Sequence, residues 1–359
     1  RLPAPLAPRP SGWFMDLMCH LPVTLGLLAL GAVAGAAAHL LGLPLPFLLG
    51  PLAAAGTVAT ALPRHLPVGY AFPQRLRVAF IAVIGVMIGA QVTPGLFASS
   101  ERFAASFAAL TLFVGLCLGW NVWVFRRVGG YDRVTALYAG TPGGLFESLA
   151  LGEAAGADVA RLTLQQFLRI IVVVTALPFG LSLWLGAPVG SAGGMSLAQG
   201  SVPWTALPLI VAAGLAGGVG GHLLRLPARQ LTGPMAAAAV LSLTGAAHID
   251  MPQWLVNVAQ VVVGTALGMR FTGLSRGLIL RGAGLSLVSV GGMLGLAALF
   301  AAALVPLTGE AFDVLLVSFA PGGVTEMALV ALSLQANPAF VTLHHIWRIL
   351  ITVLGLMLS

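Results

Sequence analysis

The sequence predicts an all-α polytopic membrane protein: two inverted repeats, each of five transmembrane helices plus one re-entrant Pro-Gly-Gly hairpin. Three observations carry this expectation. The composition is poor in charge, the chain contains an internal duplication, and arginines alternate between loops out of phase in the two halves. Of 359 residues, 58% are hydrophobic and 8% charged, against about 25% charged in soluble domains. Mean hydropathy is +1.01. A water-facing surface cannot be built at that composition, and apolar runs near the ~20 residues needed to cross a bilayer recur along the chain.

The net charge of +7 comes from 17 arginines and no lysine. In a soluble protein such a balance would suggest nucleic acid. Here most of the arginines fall in short loops between apolar runs, so they report topology instead. Cys19 and Cys117 form no CxxC, which points to neither a disulfide nor a metal site. Residues 1–16, rich in proline and arginine, read as a polar N-terminal lead-in rather than a cleaved signal.

The duplication is found by aligning the chain with itself. "AHLLGLPLPFLLGPLAAA" at 38–55 matches "GHLLRLPARQLTGPMAAA" at 221–238, and "GVMIGAQVT" at 85–93 matches "GTALGMRFT" at 264–272. "TPGGLFESLA" at 141–150 matches "APGGVTEMAL" at 320–329, and "QQFLRIIVV" at 165–173 matches "HHIWRILIT" at 344–352. Four ordered matches with one small indel indicate a tandem duplication, giving repeat 1 over 17–190 and repeat 2 over 203–359.

The elements follow in order. Repeat 1 has apolar spans near 20–41, 45–62, 78–97, 104–125 and 162–185; repeat 2 has them near 203–224, 228–246, 254–272, 283–306 and 339–358. Successive loops of the first half carry zero, three, one and three arginines, and those of the second half two, zero, three and zero. With the positive side cytoplasmic, the repeats lie in opposite orientations. Five crossings per half satisfy this only if 133–156 and 312–336, which hold the Pro-Gly-Gly breaks, do not cross. Each is read as a re-entrant hairpin. About ten helical residues at ~1.5 Å each reach the middle of a ~30 Å core, and non-helical backbone at that depth must be buried in protein or line a wet cavity.

The breaks supply the candidate ligand-binding residues. Pro142, Gly143 and Gly144, and Pro321, Gly322 and Gly323, end one helix and start another, whose N-terminus presents free N–H groups to an anion. Glu147 and Glu326 follow one turn later. A glutamate there caps its own helix or binds a coupling cation or proton, and both roles stay open. Arg169 and Arg348 lie inside the last span of each half, one turn after Gln165 and His344. A guanidinium at that depth is a salt-bridge partner, a carbonyl clamp or an anion ligand. His344 is also a candidate titrating group, although a satisfied interior histidine is the plainer reading. Gln91 and Arg270 follow the GxxxG pairs at equivalent positions and are candidates to line one cavity from opposite ends. The GxxxG pairs themselves read as helix-packing faces, and Gly50–Pro51 and Gly233–Pro234 as kinks for close packing. His39 and His222 read as interfacial hydrogen-bonding groups.

The paired GP motifs, the paired "PGG..E" motifs and the ending "HHIWRIL" resemble the AbrB family of bacterial inner-membrane proteins with the AbrB duplication, from about residue 20 to 358. The resemblance implies a multi-pass protein of the inner membrane. Members carry the label of a regulator of gene expression and some that of an ammonia monooxygenase. Gln165–Gln166 stands where the second half has His344–His345, so a histidine role cannot be symmetric. The residues do not support an oxygenase: no HxxxH, ExxH or His-Cys cluster and no dinucleotide fingerprint appears. Nor is there a solvated basic face or recognition helix for DNA. The expectation is no enzyme, no cofactor, no metal and no nucleic-acid partner. Instead, the protein is a secondary transporter of a small, anion-favouring solute at a mid-membrane site, or alternatively a membrane sensor acting indirectly on gene expression. Its partners are the lipid bilayer, a small-molecule or ion ligand and, left open by the sequence, further copies of itself. Both termini are expected to be cytoplasmic, with 186–202 periplasmic and 64–77 and 273–281 cytoplasmic.

Overall fold

A computed structural model describes residues 13–67, 69–92, 100–189, 206–273, 276–334 and 336–357. Residues 1–12 of the expected lead-in and most of the 186–202 connection lie outside them. The described residues form fourteen α-helices and no strand. The first seven are α1 (Trp13–Leu40), α2 (Pro46–Ala61), α3 (Gln74–Ala90), α4 (Ser100–Arg127), α5 (Arg133–Ala139), α6 (Leu145–Ala154) and α7 (Val159–Leu185). The second seven are α8 (Ala206–Leu223), α9 (Arg229–Thr244), α10 (Gln253–Gly268), α11 (Arg276–Thr308), α12 (Phe312–Phe319), α13 (Val324–Ser333) and α14 (Pro338–Met357).

Seven of them, α1, α4, α7, α8, α10 taken together with the 3₁₀ turn Met269–Phe271 that extends it, α11 and α14, contain stretches long and apolar enough to cross a membrane, as a multi-pass membrane protein requires. Three of the ten expected spans are shorter. Helices α2 and α9 have 16 residues and α3 has 17, reaching about 24–26 Å at ~1.5 Å per residue. They lean on protein: α3 packs along α9, and α2 along both α1 and α10. The span expected at 78–97 runs from 74 to 90 and so takes Arg75 and Arg77, read as loop charges, into the helix.

Glycines let these inner helices touch backbone to backbone. Gly85 and Gly89 of α3 abut the carbonyls of Leu231 and Met235, and Gly264 and Gly268 of α10 abut those of Leu48 and Leu52. A Cβ at Gly85 would stand 2.5 Å from Leu231 O, and one at Gly268 2.5 Å from Leu52 O. Such contacts replace the hydrophobic drive that lipid removes. Gly85→Ala and Gly268→Ala are each expected to destabilise by about 1–3 kcal/mol through overpacking. Gly115→Ala on α4, which meets open space, should be neutral or stabilising by up to ~1 kcal/mol from helix propensity. Thermal unfolding of the three purified variants checks the order; equal melting would break the packing argument.

The first interrupted segment closes onto its own start. Asp132 caps α5 by accepting from Thr135 N at 2.9 Å, and hydrogen bonds from the Thr135 hydroxyl and amide hold its carboxyl below the usual range. After α6, Asp158 N donates to Thr135 Oγ1 at 2.8 Å, which closes the segment onto its own start. Asp158 then caps α7 by accepting from Arg161 N at 3.1 Å. Helix α7 runs beside α5 in one register, through Gln166 to Tyr138 O and Arg169 to Thr141 O. Helix α14 repeats this against α12, through His345 to Val317 O and Arg348 to Ala320 O.

Leu45 N donates to Val189 O at 3.0 Å, Ser242 Oγ to Val92 O at 3.0 Å, and Trp184 meets Phe312 with ring centroids 5.8 Å apart. Segments 63–74 and 266–273 instead line one common recess.

Candidate functional site

The two breaks meet in one cavity of about 160 Å3, with Gly143 and Gly144 on one side and Gly322 and Gly323 on the other. Helix α6 starts at Gly144, whose φ of 64° lies in the left-handed region that glycine alone adopts without strain. Helix α13 starts at Gly323, with φ −75° and ψ 145°, the extended geometry usual for a residue that opens a helix. The two tips are therefore not copies of one another.

Glu147 and Glu326 each occupy the third position of the restarted helix, and both line the cavity. The Glu326 carboxylate folds back over Gly323 so closely that a methyl group there would collide with Oε2, and a Cβ on Gly144 would lie 3.4 Å from Glu147 Oε2. Both carboxylates thus turn back towards the start of their own helix, the side from which a glutamate at this position can cap. Glu326 is 6% exposed, whereas Glu147 is half-buried. The same two residues thus stand at a helix start and at the cavity wall.

The arginines of the last helices hold the carbonyls that the breaks leave over. Arg348 donates through Nη1 to Ala320 O and through Nη2 to Gly322 O at 2.7 Å; Arg169 donates through Nη1 to Thr141 O. These acceptors are neutral, so both guanidinium charges remain uncompensated at the cavity lining. Gln166 and His345 fasten the same helix pairs one turn earlier, Gln166 Nε2 to Tyr138 O at 2.9 Å and His345 Nε2 to Val317 O at 3.1 Å.

Of the residues singled out from sequence, Gly143, Gly144, Glu147, Gly322, Gly323, Glu326, Arg169, Arg348 and Arg270 line the cavity. Pro142 and Pro321 are buried at the breaks but outside the lining, and Gln91 ends α3 away from it. His344 faces Phe340 O through Nδ1 at 2.8 Å and Ser106 Oγ through Nε2 at 2.9 Å. Gln165 donates to the Tyr131 hydroxyl at 3.0 Å. Both turn away from the breaks. Burial raises the Tyr131 phenol's pKa, partly offset by that hydrogen bond.

Sequence reasoning missed Arg77 and Gln230, which also line the cavity. Arg77 Nη1 is buried without a hydrogen-bond partner. Arg270 lies over the Phe167 ring, 4.9 Å from its centroid. A second recess of about 690 Å3, lined by residues 63–74 and 266–273, shares Arg77, Phe167 and Arg270 with the first. Among the described residues no group of three or more His, Cys, Asp or Glu side chains is placed to hold a metal ion, and Cys117 is buried and free.

No solved structure matches the chain. It is 25% identical over 354 residues to "Uncharacterized protein YhjN" of Bacillus subtilis (strain 168), covering 91% of this chain and 89% of that one. It is 26% identical over 332 residues to "Putative regulator AbrB" of Escherichia coli (strain K12), covering 92% and 90% respectively. The family described as "Transition state regulatory protein AbrB" matches residues 47–358. By that match, which takes in both interrupted segments and the cavity between them, the chain belongs to the AbrB family.

Proposed function

We propose that the protein is a secondary transporter of a small solute, built from two inverted repeats whose re-entrant hairpins meet at mid-membrane to form the binding site. The observation that carries this reading is the meeting of both Pro-Gly-Gly breaks, both glutamates and both last-helix arginines around one cavity. Broken helices converging between repeats are how secondary transporters build a site in hydrocarbon. The order of helices supports the duplication: long, short, short, long, broken, long recurs from α1 to α7 and from α8 to α14. The pairing of α2 with α10 and of α3 with α9 supports a two-fold relation between halves, since each pair couples the second helix of one half to the third of the other. The grouping of the arginine-bearing segments 63–74 and 266–273 around one recess fits a cytoplasmic face there. On this reading the protein sits in the bacterial inner membrane with both termini in the cytoplasm, and it is not an enzyme.

The name of the E. coli relative favours a second reading, a membrane sensor that binds the solute and signals through a partner. Flux separates the two. Purified protein in proteoliposomes is screened against organic acids, amino acids and inorganic ions, with binding followed in parallel by thermal shift. Saturable uptake absent from empty liposomes is the expected result. Saturable binding without flux for every ligand that shifts melting would overturn transport in favour of sensing.

A further inference from the structure

We propose that Arg77 and Arg270 form the recognition site for a small aliphatic carboxylate at the neck between the two cavities. This rests on the reading of the cavity as the solute site and names what that site takes. Arg77, Phe167 and Arg270 belong to the lining of both recesses, so a solute passing between them passes these three side chains. Arg270 is steadied by lying against the Phe167 ring, which occupies one face of the guanidinium and leaves its N–H edge for a ligand. Arg77 Nη1 is buried with no acceptor, and an unmet buried donor is costly. A carboxylate arriving at the neck would supply the acceptor.

Charge points the same way. The contact ion pairs among the described residues are Arg161–Asp158 and His248–Asp250, so neither Arg77 nor Arg270 is tied up by a carboxylate at contact distance, and Glu326 acts on Arg77 only from farther off. The cavity gathers four guanidiniums, Arg77, Arg169, Arg270 and Arg348, against two carboxylates, Glu147 and Glu326. Such an excess of positive charge in a low-dielectric site draws in an anion, and the guanidinium fork matches a carboxylate in two hydrogen bonds. The remaining walls decide the rest of the ligand. Ile81, Leu231, Val263 and Leu267 line the cavity beside the arginines and offer an apolar body no polar partner. About 160 Å3 is well below the roughly 300–1,000 Å3 of drug-sized pockets, so the body is a few carbons long.

The test is calorimetric binding of acetate, propionate, butyrate, inorganic phosphate, sulfate and butylammonium to the purified full-length protein. Wild type should bind butyrate and propionate more tightly than phosphate or sulfate and should not bind butylammonium. Arg77→Gln and Arg270→Gln should each weaken butyrate at least about tenfold, and Arg77→Lys should recover little, because lysine lacks the fork. Arg126→Gln, on the exposed end of α4, should bind as wild type does. Val263→Phe keeps both arginines and fills the apolar end, so it should retain acetate and lose butyrate, giving an answer even if an arginine variant folds poorly. Unchanged butyrate binding in both glutamine variants, no butyrate binding by wild type, or a preference for phosphate would each overturn the proposal. Binding without flux would leave this site standing and remove transport; flux of a neutral or cationic solute by a protein that ignores butyrate would do the reverse.

Discussion

Replacing Arg348 with methionine is expected to destabilise the protein by about 2–6 kcal/mol, roughly twice the cost of the same change at Arg169. Arg348 is 1% exposed and is the largest fully buried side chain among the described residues. It serves two carbonyls, those of Ala320 and Gly322, and each buried acceptor left unmet costs about 1–3 kcal/mol. Arg169 serves Thr141 O alone, and Gln166 Nε2 stands 3.5 Å from that same oxygen, so part of the loss at 169 is covered. Methionine approximates the length and apolar stem of arginine without its donors. Arg348→Lys should recover less than half of the loss, since one ammonium cannot reproduce the spread of the two Nη donors. Melting temperature and yield of the detergent-purified variants check the prediction. Equal melting for the two methionine variants would mean that the carbonyl clamps do not hold the breaks.

The second large effect concerns Glu326. Glu326→Gln is expected to reduce coupled uptake to background while melting stays near that of wild type, and Glu147→Gln to lower uptake less. Glutamine keeps the shape and serves equally in a capping box, so the fold back over Gly323 survives and only the charge is lost. Glu326 is the buried member of the pair, and a carboxylate in that setting is costly unless it binds a cation or a proton. Uptake by proteoliposomes of the solute that wild type moves, with lumenal pH followed by a trapped dye, gives both readouts. Full uptake by both variants would leave the two glutamates as caps.

Much of this site is written locally. A Pro-Gly-Gly run followed one turn later by glutamate has few structural readings, and the helices stop and restart where it occurs. The glycine pairs at 85/89 and 264/268 are also local signals, because only a missing side chain admits a carbonyl so near. Residues that depend on which neighbour stands opposite were harder to read. His344 shares a helix face with Arg348 in sequence terms, yet that face curves from the breaks to Ser106 within one turn. Gln91 matches Arg270 by position, but α3 ends differently from α10, whose last turn tightens into a 3₁₀ turn carrying Arg270. Arg77 looked like one of several charges in a loop. Its place at the cavity follows from α3 beginning four residues early and lying along α9, a contact between residues about 150 positions apart that no local pattern announces.

The glycine-to-carbonyl seams between α3 and α9, and between α2 and α10, have a consequence for how the chain is made. The partner of α3 is still about 140 residues from being synthesised when α3 is complete. At roughly 5–20 residues per second, translation needs about 7–28 seconds to deliver it. For that interval α3, and for longer still α2, whose partner α10 follows α9, wait in the bilayer or against the insertion machinery, with bare grooves and with Arg75 and Arg77 carried by a 17-residue helix. Neither has the apolar length that holds a lone segment in lipid. The N-terminal half on its own therefore leaves the ribosome as an unfinished surface, and insertion quality control must tolerate it until the second half closes the seams.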